Sequence, residues 1–345
     1  MVRSCEIRTV EAVVWVTILS LIGPAALGRE LKMTIHPQKV SPEASKYVLL
    51  PPASSLTDGD AVPWYEKAVK ALPDKSKDDQ VWQWLKMPID QLPADQVEQV
   101  LTRYLESFKC VAQAVKCRQC NWPAWTPGTQ VPNLDEYRRL AFGVRLWVRL
   151  ELSNGQYDGA LLALQTGFGM GRQLGQAPTV VQMLVGVATA NVLCREIEQL
   201  TQMEDAPNLY SSLANLPKPF LDAQKVVESE KKAAASSGLV GGLVAKQAET
   251  VTKPVYERAL AMEKRLESDL AILQCVEAIR SYAASHGGQL PQTLAEITEV
   301  SVPKDPMCGA AFRYTRTGAT AVLESTAPAG GEKKDETRYE ITVKK

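Results

Sequence analysis

The sequence predicts a mainly α-helical protein, built from helical hairpins and followed by a small C-terminal α+β module. Apolar residues recur at three- and four-residue spacing over much of the chain, and short β-prone segments follow only near its end. The composition, 45% apolar and 23% charged over 345 residues, is that of an ordinary folded protein. Basic and acidic residues each total 39, and this zero net charge argues against nucleic acid as a partner.

The first 28 residues have the pattern of a secretory signal peptide. Arg3 and Arg8 precede an apolar run, and Pro24 breaks that run just before the small residues Ala26 and Gly28. The run is shorter than the ~20 residues that span a bilayer, which favours cleavage after Gly28, or else after Ala26, over a retained anchor. We therefore expect an exported protein, periplasmic or extracellular, with no stable membrane span after cleavage.

Residues 29–62 are predicted to form an irregular arm, because prolines and polar turn formers are dense there. A helical domain is then predicted over residues 63–227. It opens with a short amphipathic segment, and from Pro93 to Val115 apolar residues follow the spacing of one buried helix face. After a loop rich in proline, a second helical stripe begins at Leu134.

The turn after this stripe carries, in order, Gly155, Tyr157, Asp158 and Ala160. Glycine suits a left-handed helix end, the tyrosine can fill the space between two helices, and the alanine lets them approach. This segment, residues 140–174, resembles a tetratricopeptide repeat. The resemblance implies a helical hairpin and a surface that binds a protein or peptide by its shape. Since one repeat cannot bury its own core, a repeat-like stack and a bundle without true repeats both remain open.

The same segment contains four closely spaced glycines: Gly167, Gly169, Gly171 and Gly175. Their spacing fits neither the dinucleotide-binding fingerprint nor the P-loop, and no Lys-Ser or Lys-Thr pair follows them. We therefore interpret them as small residues through which two helices pack closely.

Residues 228–254 are rich in alanine, serine, glycine and lysine, which predicts a linker or a weakly held helix. Residues 255–345 are predicted to form the C-terminal module. A long helix there ends before Gly287 and Gly288, and three β-prone segments follow it, separated by turns. We expect these segments to form a small antiparallel sheet that packs on the helix. They are residues 312–315, 319–325 and 338–343.

The C-terminal module also carries a series of residues in a fixed order: Ile279, Tyr282, Gly287, Gly288, Pro291, Leu294, 302–306, Gly309, 312–314 and 323–325. In this order, residues 270–326 resemble the globular part of the type II secretion major pseudopilin. The resemblance implies a helix, a short second helix, an Asp-Pro loop and a hairpin. The chain departs from the family at Cys308 and Leu290, where the family has an aromatic residue and a tyrosine. It also has no acidic cluster that matches the family's calcium site.

A pseudopilin joins this module directly to an apolar N-terminal helix, whereas here a whole helical domain and a signal peptide come first. The resemblance therefore implies the local fold and not assembly into a pseudopilus. The layout as a whole resembles that of exported helical bacterial proteins of uncharacterised function, and it implies no particular activity.

Histidine is scarce, with only His36 and His286 present. Neither lies in a motif of the zinc hydrolases or the serine hydrolases, and no acidic pair is distinguished by its surroundings. We therefore name no catalytic residue, no metal ligand and no cofactor, and a non-enzymatic protein is favoured.

Cys117 and Cys120 form a CxxC motif at the predicted end of the helix that follows Pro93. There the helix dipole opposes a thiolate, and Asn121 stands where haem attachment needs histidine. A structural disulfide or inert thiols are favoured, while a metal site and a redox site remain open. On a continuous helix Cys110 lies about 10 Å from Cys117, beyond the ~7 Å limit for a disulfide. Cys120 is therefore expected to pair with Cys117, or else with a residue outside the helix.

Four tryptophans surround these loops: Trp82, Trp84, Trp122 and Trp125. A role of these tryptophans in anchoring the core and the loops is favoured over a ligand groove.

The preferred functional hypothesis is a non-enzymatic binding or scaffold protein with a protein or peptide partner. The alternatives are an accessory component of a secretion or cell-envelope assembly, and a thiol oxidoreductase that uses Cys117 and Cys120.

Overall fold

The computed structural model describes residues 29–41, 46–124, 133–236, 243–327 and 336–344, so the predicted signal peptide lies outside the described residues. Ten α-helices make up most of this part of the chain, which confirms the mainly helical fold class. They are α1 (Val62–Lys70), α2 (Asp78–Trp84), α3 (Ala94–Thr102), α4 (Leu105–Ala114), α5 (Leu134–Ser153), α6 (Tyr157–Gly175), α7 (Val180–Leu200), α8 (Tyr210–Ala214), α9 (Ala223–Ser236) and α10 (Leu243–Ser285).

The described residues also form two small sheets. Their strands are β1 (Arg29–Ile35), β2 (Thr57–Asp60), β3 (Cys117–Gln119), β4 (Arg313–Thr317), β5 (Thr320–Glu324) and β6 (Thr337–Val343). The larger sheet has the order β1-β6-β5-β4, and β2 pairs with β3. β5 is antiparallel to both β4 and β6, as predicted, but β1 runs parallel to β6. The C-terminal sheet is therefore mixed and has one strand more than the sequence predicts.

The prediction of an irregular arm is wrong for residues 29–35, which form β1. Leu31, Met33 and Ile35 alternate with polar residues, and Met33 and Ile35 are buried in the core of the sheet. This two-residue period is the pattern of a strand with one buried face. β2, also within the predicted arm, pairs with β3.

The single helix predicted from Pro93 is two helices, α3 and α4. The backbone N–H groups of Arg103 and Tyr104 donate to carbonyls three residues earlier, at 3.1 and 2.9 Å. Such bonds tighten the last turn of a helix, and here they end α3. The apolar face continues on α4, where Phe108 and Val111 are buried as predicted.

The largest apolar core lies among α5, α6, α7 and α10. α6 and α7 approach most closely at glycines: a Cβ built on Gly186 would lie 2.5 Å from the carbonyl oxygen of Gly171 and 2.6 Å from the backbone nitrogen of Gly175. Only hydrogen fits between these backbones. The interpretation of the glycines as helix-packing residues therefore holds for Gly171 and Gly175, while repeat-like stacking of the hairpins stays a prediction.

α10 contributes to two apolar cores. Tyr256, Leu266 and Leu270 pack in the helical core, whereas Ile272 and Ile279 pack beneath the larger sheet. The predicted segment 228–254 is helical wherever it is described, which fits the second of its two interpretations. The division into a helical domain and a C-terminal module stays a prediction, although α10 packs in both cores.

Candidate functional site

The predicted repeat turn joins α5 to α6. Gly155 has a φ of +66°, in the left-handed region. The N–H of Gly155 donates to the carbonyl of Leu152 at 3.0 Å, and that of Gln156 donates to the carbonyl of Glu151 at 2.8 Å. This pair of bonds is a Schellman motif, and it satisfies the last carbonyls of α5. Ala160, one turn into α6, is fully buried.

The other two residues of the repeat turn face outward and hold neighbouring segments. The hydroxyl of Tyr157 donates to the backbone carbonyl of Glu204, in the loop after α7. The carboxylate of Asp158 accepts a hydrogen bond from Tyr47 at 2.7 Å and lies 3.6 Å from the ammonium of Lys46. These contacts lower the pKa of Asp158, chiefly through the hydrogen bond from Tyr47. The turn therefore connects the arm to the loop that follows α7.

The arm leaves a cavity of about 250 Å³ where it crosses α6, which we call the leucine groove. Leu162 is 51% exposed on its floor, although most large apolar side chains of the described residues are buried. Gln165 donates to the carbonyl of Val48 at 3.0 Å, which fixes the arm along the groove. The lining residues are Lys46, Tyr47, Val48, Asp158, Leu161, Leu162 and Gln165.

A second cavity, of about 510 Å³, lies at the C-terminal end of α10, and we call it the polar cavity. Arg280 forms its base and is fully buried. The guanidinium of Arg280 donates to both carboxylate oxygens of Glu277 at 2.9 Å and to the carbonyls of His36 and Ala206 at 2.9 Å. The lining residues are His36, Pro37, Gln38, Glu204, Asp205, Ala206, Arg280, Gly287, Gly288 and Lys344.

No motif or spacing along the sequence indicates the polar cavity. Its walls come from the arm, from the loop after α7, and from the two ends of the C-terminal module. The one local signal is the Gly287-Gly288 pair, where both residues have positive φ. Nothing in the spacing of the other residues indicates that they meet.

Cys117 begins strand β3 and Cys120 directly follows that strand, so the CxxC motif does not lie at a helix end, which corrects the prediction. α4 ends at Ala114, and Cys117 is the first residue of β3. The Cys117 thiol donates to the carbonyl of Gln113 at 3.4 Å, and the Cys120 thiol lies 3.9 Å from the carbonyl of Gln173. In an extended chain, residues three apart lie about 10 Å from each other, beyond the ~7 Å limit for a disulfide. Both thiols are free in this structure, and the Cys117–Cys120 bridge expected from the sequence would require β3 to open.

The surroundings of both thiols weigh against a redox role. Burial raises the pKa of Cys117, and it raises the pKa of Cys120 to about 12. At neutral pH both groups therefore stay protonated, whereas a reactive cysteine needs its thiolate.

Thiol titration tests this description. All six cysteines of the described residues are free, and Cys308 is the one that is exposed. We expect six thiols after denaturation without reductant of a protein that starts at Arg29, and we expect Cys308 to react first in the native protein. The variant Cys308→Ser, as the control, should lose only that fast phase. A titre of four with a linked Cys117–Cys120 peptide would show that the bridge forms.

The three described tryptophans of this group, Trp82, Trp84 and Trp122, do not share one groove. Trp84 is buried, and the indole N–H of Trp122 donates to the carbonyl of Gln173 at 2.8 Å. Trp82 is 45% exposed and lies against Phe142, with ring centroids 5.3 Å apart. Trp125 lies outside the described residues. Trp84 and Trp122 thus act as anchors, as the sequence favours.

Neither of the two histidines belongs to a catalytic motif. The imidazole Nδ1 of His286 lies 2.9 Å from the carbonyl of Tyr282. His36 borders the polar cavity, and its pKa is lowered, first by burial and then by the nearby charge of Lys344. Across the described ranges, no group of three histidine, cysteine, aspartate or glutamate residues is placed to hold a metal ion.

One helix of the described residues, Val180–Leu200, is long and apolar enough to cross a membrane, and 78% of its apolar window is buried inside the protein. That burial is typical of a core helix. No family model, curated protein or solved structure matches the chain.

Proposed function

We propose that the protein is an exported, non-enzymatic binding or scaffold protein that holds a peptide segment of a partner protein beside the repeat turn. One observation carries this proposal: two adjacent residues in the first turn of α6 contact the leucine groove and the rim of the polar cavity. Asp158 lines the groove, while the preceding residue, Tyr157, holds the backbone of Glu204 at the rim of the polar cavity. We propose that a single extended segment occupies both.

The chemistry of the leucine groove favours an apolar side chain of the partner. Leu162 exposes half of its surface, and Leu161 and Val48 line the groove beside it. Lys46 and Asp158 form an ion pair at the edge. An apolar centre with a polar rim is the usual construction of a protein interface.

The groove is also held in shape before a partner binds. The carbonyl of Tyr47 accepts a hydrogen bond from Ser212 at 2.7 Å, and the next carbonyl accepts the bond from Gln165. The arm is therefore fixed at two consecutive residues. Such preorganisation reduces the entropy lost when a peptide binds.

A selected peptide tests the proposal. We would select peptides from a random displayed library on the protein that starts at Arg29, and measure the binding of the best ones to Leu162→Asp. We expect Leu162→Asp to weaken binding at least about tenfold, because a charge replaces the apolar floor. Leu105→Asp is the matched control, since Leu105 is also helical and 52% exposed, and it should bind as the unaltered protein does.

Failure to select any peptide, or equal binding by Leu162→Asp, would contradict the proposal.

The two alternative functions have less support. The raised pKa values of Cys117 and Cys120 weigh against a thiol oxidoreductase. A role in a secretion or cell-envelope assembly depends on the C-terminal resemblance alone, and the parallel strand β1 is an addition to the sheet that the resemblance implies.

A further inference from the structure

Another cavity, of about 160 Å³, lies where α8 and α10 meet the loop of residues 303–306, and we call it the glutamine cavity. Its floor is a face of α10 on which Leu270, Ala271 and Gln274 are all buried. Its walls are mainly aliphatic and include Leu213 of α8. The cavity is therefore an apolar space with one carboxamide on its floor.

Gln274 has no partner for its polar side chain. The residue is only 5% exposed, yet its carboxamide forms no hydrogen bond with any residue that the structure describes. By contrast Gln182, which is 3% exposed in α7, accepts a hydrogen bond from the hydroxyl of Thr179 at 2.9 Å. A buried polar group without a partner lowers stability, and a carboxamide can both donate and accept. Gln274 therefore presents an unused donor and an unused acceptor to the cavity.

Two adjacent residues of α10 hold the walls of the cavity in place. The carboxylate of Glu267 accepts a hydrogen bond from the backbone N–H of Phe220 at 2.5 Å, which fixes the loop after α8. The hydroxyl of Ser268 donates to the carboxylate of Asp305 at 2.9 Å, which fixes the loop of residues 303–306. The space between the two loops is thus set before a ligand enters, and this reduces the entropy lost on binding.

The charged groups around the cavity favour a neutral ligand. Lys218 and Lys304 are exposed to water at the rim. The carboxylate of Asp305 is already satisfied by three hydrogen bonds. Burial raises the pKa of Glu267, although Lys218 acts in the opposite direction. Surroundings that disfavour the charge of Glu267 also disfavour a second charge beside it.

We infer that the glutamine cavity binds a small neutral molecule with a short branched aliphatic body and a primary carboxamide. The carboxamide pairs with that of Gln274, each donating one hydrogen bond and accepting one, while the aliphatic body lies against Leu213, Leu216 and Pro303. A cavity of about 150 Å³ holds a molecule of about six heavy atoms, and the glutamine cavity has this size. The inference goes beyond the proposed function and does not depend on it, because the leucine groove and the glutamine cavity share no lining residue.

Molecules of nearly the same shape test the inference. They are 3-methylbutanamide, the anion 3-methylbutanoate, the cation 3-methylbutylammonium, and 4-methylpentan-2-one, which accepts a hydrogen bond but cannot donate one. We would titrate each into the protein that starts at Arg29 and follow binding by saturation-transfer NMR of the ligand. We expect the amide to bind with a dissociation constant of about 1 mM or less, and the others at least about tenfold more weakly.

Gln274→Leu removes the carboxamide and keeps a side chain of similar size. It should weaken binding of 3-methylbutanamide at least about tenfold. It should also raise the urea midpoint of the unliganded protein, because an apolar group replaces a buried amide that has no partner. Gln182→Leu is the matched control: it should bind the amide as the unaltered protein does and should lower the midpoint, since its amide has a partner.

The inference is overturned if 3-methylbutanamide does not bind, if the anion, the cation or the ketone binds as tightly, or if Gln274→Leu binds undiminished. A urea midpoint that does not rise in Gln274→Leu would show that the carboxamide is already satisfied, and would overturn it as well. Tighter binding of acetyl-Gly-Gln-Gly-amide than of 3-methylbutanamide would overturn the assignment to a free small molecule.

Discussion

Gly186→Ala is expected to lower the free energy of unfolding by about 2–3 kcal/mol, because a methyl group there forces α6 and α7 apart. The added carbon would meet the backbone of Gly171 at 2.5 Å and the backbone of Gly175 at 2.6 and 2.8 Å. Backbone atoms in the middle of two long helices cannot turn aside as a side chain can. The loss outweighs the gain of about 1 kcal/mol that alanine brings to a helix interior. Urea unfolding, followed by circular dichroism, measures the change in the free energy of unfolding.

Gly159→Ala is the matched control in α6. Its added carbon would lie 2.3 Å from the carboxylate oxygen Oε2 of Glu151, which is the far end of a flexible side chain and can move. We expect this variant to be within about 1 kcal/mol of the unaltered protein. Equal stability of Gly186→Ala and Gly159→Ala would mean that the helices do not cross at Gly171 and Gly186.

Arg280→Met is expected to cost about 3–5 kcal/mol of unfolding free energy at neutral pH. The substitution keeps an unbranched side chain but removes the guanidinium, so the fully buried carboxylate of Glu277 loses its counter-ion. The carbonyls of His36 and Ala206 also lose their donor. Chemical unfolding at pH 7 measures the loss. The exposed pair of Arg118 and Asp58 supplies the control, since Arg118→Met should cost less than about 1 kcal/mol.

The pH dependence of Arg280→Met identifies the cause. Burial raises the pKa of Glu277 above its unfolded value even with Arg280 present, and loss of that cation raises it further. A carboxyl group whose pKa is raised in the folded state is stabilised by protonation, so its cost is full above the folded pKa and falls as the pH drops through it. The variant should therefore lose less stability near pH 5 than near pH 8. An equal loss at both would point to packing alone.

The elements that the sequence predicts well are those with local signals. A glycine at a helix end, with an apolar stripe on each side, is enough to predict the turn at Gly155. The helices α5 and α6 begin and end where these local signals indicate. The three C-terminal strands are likewise bounded by turns. The closely packed glycines of α6 also have a local spacing, although their main contact, Gly186, is visible only in the structure.

The elements that were missed depend on distant partners. β1 has a clear two-residue period, but the prolines that follow it lead to the prediction of an irregular segment. Its partner β6 lies about 300 residues further along the chain. β3 is three residues long and exists because Cys117 pairs with Thr57. The break at Arg103 carries no glycine or proline. The polar cavity combines His36, Glu204 and Lys344 with residues at the end of α10, and no pattern along the chain joins them.

The parallel pairing of β1 with β6 has a consequence for the order of events during synthesis. Thr34 and Thr342 are partners in this ladder and share a side-chain hydrogen bond across 308 positions of sequence. The ribosome therefore makes Thr34 308 residues before its partner Thr342. The β1–β6 ladder cannot form until β6 has been made, and Met33 and Ile35 lack this side of their core until then. If the chain is exported as proposed, the larger sheet is the part of the fold that stays open longest before export.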